Sequence, residues 1–96
     1  MSHYVVIQTI PQDAEALAAY REGALAAVQK HGGDRFAGGP ETQTLEDTGA
    51  GSTEVIIASF PSAEAAQAWM DDPALAELHA LRRKGAKTTI VLLPPI

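Results

Sequence analysis

Three stretches of this 96-residue chain carry apolar side chains on both of their alternating faces, and that pattern is the strongest constraint on its fold. In residues 4–10, Tyr4, Val6 and Ile10 share one face while Val5 and Ile7 share the other. Residues 53–60 read the same way, and in residues 87–93 Ile90 and Leu92 oppose Val91 and Leu93. Strands of this kind are covered on both sides. The few helices that so short a chain can form cover only one face of a four-stranded sheet. A wet second face would exceed the few hundred Å² of contiguous apolar surface usual on soluble monomers, at about 25 cal/mol per Å². Two-fold pairing of sheet on sheet removes that cost by using one surface twice, so the sequence predicts a homodimer. The simpler alternative is that β propensity alone selects Val and Ile here.

The segments between the strands supply the helices. Pro11 ends the first strand, Asp13 offers an N-cap carboxylate, and an alanine-rich helix runs to His31 before Gly32 and Gly33 stop it. Residues 35–46 are interrupted by Gly38-Gly39-Pro40, which predicts an edge strand with a bulge at that point, followed by a hairpin-type loop over residues 47–52. Ser62 caps a second helix with Glu64 in its first turn. Asp71-Asp72-Pro73 breaks that helix and starts another, which Gly85 closes. The order is β-α-β-β-α-β, an α+β arrangement in a single domain over residues 1–96, with helices on one face of the sheet.

Charge and composition narrow the partners. The net charge is −5, and the seven basic residues are scattered apart from Arg82, Arg83 and Lys84, so no basic stripe predicts nucleic acid. There is no cysteine, hence no disulfide, thiolate nucleophile or zinc-thiolate site. No apolar run approaches the roughly 20 residues of a membrane span, and the first residues lack a signal pattern, so a cytoplasmic protein without membrane contact is expected. His3, His31 and His79 lie on different elements without metal-site spacing, and no glycine-rich phosphate loop links a strand to a helix. No metal, haem, flavin or other cofactor is expected.

Helical spacing singles out the residues that could carry chemistry. Leu17, Tyr20, Ala24 and Val28 share one face of the first helix, and Arg21 falls inside that arc. On the last helix Arg82 lies between Leu75 and Leu78 on the wheel, whereas Arg83 and Lys84 point away. A guanidinium in an apolar setting must be paired or hydrated. The structural reading pairs it with an acid such as Glu46, or lets it snorkel to water. The functional reading gives it a ligand carboxylate. His79, one turn before Arg82, is the candidate for moving a proton. Trp69, beside Ala66, reads as core or as a stacking wall for a ligand, and Tyr20 as an amphipathic residue with its hydroxyl free for a partner.

Several segments together resemble the DUF1330 family, a domain of unknown function in the dimeric α/β-barrel superfamily. They are Tyr4-Val5-Val6, Tyr20-Arg21, His31-Gly32-Gly33, Arg35-Phe36, Leu45-Glu46, Val55-Ile56-Ile57, Phe60-Pro61-Ser62, Glu64-Ala65-Ala66, Ala68-Trp69, Leu81-Arg82 and Ile90-Val91-Leu92. Met70 and Asp72-Pro73-Ala74-Leu75 depart from the aromatic residue and the Ser-Pro-Glu-Tyr-like turn often found there. The resemblance implies a ferredoxin-like fold with a four-stranded antiparallel sheet, paired into a dimeric α/β barrel. The superfamily includes cofactor-free monooxygenases, lactone isomerases, haem enzymes and ligand-sensing domains, so three functions stay open. One is a dimeric module binding a small acidic metabolite through Tyr20, Arg21, Trp69 and Arg82. Another is a cofactor-free enzyme acting on an organic acid or lactone, with His79 as acid or base. The third is a structural or protein-interaction dimer, served by the Pro94-Pro95-Ile96 tail.

Overall fold

The computed structural model describes residues 3–49, 51 and 53–95. The end of the expected loop at Ser52 and the last residue of the tail, Ile96, lie outside the described residues, as do Met1, Ser2 and Ala50. Strand β1 (His3–Pro11) leads into helix α1 (Ala14–Lys30), followed by β2 (Asp34–Gly39), β3 (Glu54–Phe60) and α2 (Ala63–Asp71). A 3-10 turn over Pro73–Leu75 then passes into α3 (Ala76–Gly85) and β4 (Ala86–Leu92). The four strands form one antiparallel sheet in the order β2-β3-β1-β4.

The helix starts follow from short polar side chains that take up free backbone donors. Asp13 Oδ1 accepts from the Ala16 N–H at 3.1 Å, Ser62 Oγ from the Ala65 N–H at 3.0 Å, and Asp72 Oδ1 from the Ala74 N–H at 2.9 Å. Pro73 at the first position of the turn fits the missing donor there, but the first turn is 3-10 and the α-helix begins only at Ala76. The second carboxylate oxygen of Asp72 accepts from Lys30 Nζ at 2.7 Å and from His31 Nε2 at 2.9 Å, tying the end of α1 to the α2–α3 junction. Hydrogen bonds from Lys30 and His31 hold the Asp72 carboxyl well below the usual carboxylate range.

Period-two alternation sorts the strands into two faces. Val5, Ile7 and Thr9 of β1 and Glu54, Ala58 and Phe60 of β3 are buried on the helix side. There Val5, Ile7, Ala58 and Phe60 pack with Ala27, Val28, Ala66 and Trp69. On the opposite face Tyr4 and Phe36 stack with ring centroids 4.9 Å apart. Val6, Val55 and Ile57 share that face, half-buried within the single chain.

The weakest sequence segment is where expectation and structure part. The irregularity in β2 falls at Phe36, between the Arg35–Ala58 and Ala37–Ile57 pairs, and not at Gly38-Gly39-Pro40. The strand ends at Gly39 instead of continuing to Glu46. Gly38 stays in the ladder at φ 93°, where a Cβ would lie 2.0 Å from the Val55 carbonyl oxygen, so the glycine serves a close strand approach. Gly85 permits a second approach. Its carbonyl accepts from the Gln12 and Asp13 N–H groups at 2.8 and 3.0 Å, and a Cβ there would lie 2.7 Å from Leu17 N. That contact draws the end of α3 against the start of α1 and sets Arg82 beside Tyr20.

Candidate functional site

A cavity of about 340 Å³ lies between the sheet and α1, within the roughly 300–1,000 Å³ of small-molecule sites. Its floor is made of two cross-strand rows. Glu54, Thr9 and Thr88 are register partners across β3, β1 and β4, and Ile56 pairs with Ile7 in the next inward row. Leu17, Tyr20, Ala24, Leu25 and Val28 of α1 form its roof. Arg82 borders it from α3, and Arg35 and Pro40 border it on the β2 side.

Arg21 and Arg82 both line this cavity, in different electrostatic settings. Arg21 is half-exposed and its Nη2 pairs with Glu54 Oε2, whose side chain is 8% exposed. The expected acid, Glu46, lies exposed in the segment after β2 and is not the partner. Alternation places Glu54 on the same face as Ala58 and Phe60, so a carboxylate at an inward strand position was the signal for it. Arg82 is 2% exposed, and no described carboxylate forms an ion pair with it. Its Nη1 donates to His79 Nδ1, while its Nε is buried with no acceptor. Burial lowers the guanidinium from its ordinary range, and the neighbouring Tyr20 opposes that shift. Burial likewise raises the Tyr20 phenol above 10.0, with Arg82 pulling it back. At neutral pH the pair is therefore a buried cation beside a protonated phenol.

His79 and Trp69 stand behind this wall and do not line the cavity. His79 is fully buried, and its Nε2–H donates to the Trp69 carbonyl at 2.9 Å, which leaves the Nδ1 lone pair to accept from Arg82. Both ring nitrogens are thus occupied, and the arrangement suits holding a guanidinium in place better than moving a substrate proton. Trp69 is 1% exposed and packs on Phe60 and, edge-on, on His79, with centroids 5.5 and 5.4 Å away. Among the described residues no group of three or more His, Asp or Glu is placed to hold a metal, and no described helix is long and apolar enough to cross a membrane.

Burial, with the charges of Arg82 and Arg83, pushes the His79 imidazole below its ordinary 6.5, against the opposing hydrogen bond to Trp69. A depressed folded-state value means that the unfolded chain takes up the proton first, so this contribution to stability is complete above about pH 6.5 and is lost as pH falls. The melting temperature should therefore decline from pH 7 toward pH 5, and His79→Gln should flatten that slope. Equal slopes in both proteins would show that His79 titrates alike in the folded and unfolded chain.

A family model described as Domain of unknown function (DUF1330) matches residues 2–96. No curated protein matches the chain significantly. Among solved structures, a protein of unknown function from Rhodopseudomonas palustris superposes with a TM-score of 0.76 at 21% identity, covering 99% of this chain and 82% of that one. A dimeric ferredoxin-like protein of unknown function from a Jannaschia species gives 0.72 at 16% identity, covering 99% and 100%. SnoaB, a cofactor-independent oxygenase from Streptomyces nogalater, gives 0.60 at 14% identity, covering 99% and 91%. At these identities the likeness establishes the fold, which is ferredoxin-like.

Proposed function

We propose that this chain, which belongs to the DUF1330 family, is a binding protein for a small organic anion held in the cavity between sheet and α1. The observation that carries this reading is Arg82: a guanidinium 2% exposed, bordering an apolar cavity, with a neutral imidazole and a phenol beside it and no described carboxylate paired to it. A buried charge in that setting is costly unless an anion compensates it. Tyr20 supplies a hydroxyl donor next to it, whereas the charge of Arg21 is already taken by Glu54. Trp69 and His79 act from behind the wall, as packing and as a support for Arg82.

A catalytic reading as a cofactor-free enzyme needs a group in the cavity that is free to move a proton. Of the described lining residues the one carboxylate, Glu54, is tied to Arg21, and His79 is closed off on both nitrogens. Binding is the reading that this geometry supports better.

The binding unit is proposed to be a homodimer formed by the sheet face opposite the helices, as a cytoplasmic protein. Phe36 is 63% and Val91 43% exposed, and they lie with Tyr4, Val6, Val55 and Ile57 on a face that no helix covers. A second copy presents the same surface in return, and the Jannaschia neighbour is described as dimeric.

Native mass spectrometry of the freshly purified protein, wild type against Arg82→Gln, tests the anion reading. A small acidic molecule should be retained by the wild type and weakened by at least about tenfold in the variant, the range for losing a hydrogen bond to a charged group. Stability should change little, because the substitution also removes a buried uncompensated charge. A large drop in melting temperature with unchanged retention would instead make Arg82 part of the fold alone.

A further inference from the structure

The proposed anion site also constrains the rest of its ligand. Apart from the polar row Glu54-Thr9-Thr88, Tyr20 and the three arginines, the described lining is apolar, with Ile7 and Ile56 on the sheet and Ala24 and Val28 on α1. Arg82 stands on the helix that leads into β4, at one edge of the sheet. Arg35 stands on β2, the other edge strand of the order β2-β3-β1-β4. Arg35 is exposed, so its charge is hydrated and screened, and Arg21 is neutralised by Glu54. Among the described lining residues one buried cation without a paired carboxylate therefore remains, Arg82, and the cavity beside it is mostly apolar.

We propose that the ligand is an amphipathic organic acid, with a single acidic head seated at Arg82 and Tyr20 and an apolar alkyl or aryl body lying over Ile7 and Ile56. The inference rests on the anion-binding reading and deepens it from charge to ligand class. The body lies against the apolar side chains between α1 and the sheet, where each buried methylene contributes to affinity. The head supplies orientation, because the phenol and guanidinium donors are fixed by α1, α3 and the His79 brace.

Titration calorimetry with butyrate, hexanoate, octanoate and neutral octanol tests the class on wild type, Arg82→Gln and Ala24→Phe. Affinity should rise roughly three- to fourfold per methylene from butyrate to octanoate, as expected for burial of each CH₂. Octanol should bind at least about tenfold more weakly than octanoate, and Arg82→Gln should bring octanoate down to the octanol level. Ala24→Phe, which fills the cavity and leaves Arg82 in place, should remove the chain-length dependence; unchanged thermal melting checks that this variant is folded. A flat series that still depends on Arg82 overturns the apolar body and leaves the anion site standing. Octanol equal to octanoate, with no effect of Arg82→Gln, overturns both. Absence of octanoate binding overturns the class, and the mass spectrum of the purified protein then decides the anion reading independently.

Discussion

Val5→Lys should lower the melting temperature by roughly 12 to 40 °C. Val5 is 2% exposed on the helix side of β1, the strand that pairs with both β3 and β4, and it belongs to the cluster containing Phe60 and Trp69. A lysine there has no carboxylate among the cluster residues, so it must either shed its proton or drag water into the core. Removing the valine contacts adds a further cost, and together these amount to roughly 3 to 5 kcal/mol. A domain of this size has about 5 to 14 kcal/mol in total. Circular dichroism melting that matches the wild type would show that Val5 does not face the core.

Val6→Lys, one residue along, should do something different: keep the fold and abolish the dimer. Val6 pairs with Ile57 and Val91 and points to the opposite face, where it is half-buried in the single chain. Its ammonium can reach water in a monomer by snorkelling. In a two-fold sheet-on-sheet interface the substitution appears on both copies, placing two like charges in one apolar contact. Sedimentation equilibrium at micromolar concentration should give a mass near twice the chain's 10.1 kDa for the wild type and near 10.1 kDa for Val6→Lys, with the far-ultraviolet spectrum retained. A wild-type mass near 10.1 kDa across that range would remove the dimer from the account. A dimeric Val6→Lys would move the interface elsewhere.

The contrast between these neighbours shows which parts of the fold were legible in the sequence. Alternating apolar residues over 4–10 placed β1 within a residue of its ends, and Asp13 and Ser62 marked the starts of α1 and α2, and Asp72 that of the 3-10 turn before α3, because short polar side chains compete for free N–H groups there. The β2 segment was harder. Glycine at 38 and 39 admits several backbone geometries, and the choice between a bulge there and one at Phe36 is made by pairing with β3, a non-local contact absent from the local pattern.

The candidate site divides along the same line. Helical periodicity put Arg82 on the buried side of α3 and Arg21 within the apolar arc of α1, since both positions follow from one helix alone. Their partners could not be read that way. Glu54 reaches Arg21 from a strand 33 residues away in sequence, and the hydrogen bond between Arg82 and His79 depends on how Trp69 orients the imidazole. Helix spacing suggested that His79 could reach a pocket, and the carbonyl of Trp69 turns it inward instead.

In the proposed binding role, Arg82 meets an anion that no described carboxylate of the chain supplies. A crystal structure of the freshly purified protein, without added carboxylic acids, tests it most directly. The account predicts density for an organic acid in the cavity, with its acidic oxygens within hydrogen-bond distance of the Arg82 guanidinium and the Tyr20 hydroxyl. Arg82 turned onto a carboxylate of its own chain, with the cavity collapsed or filled by side chains, would contradict it.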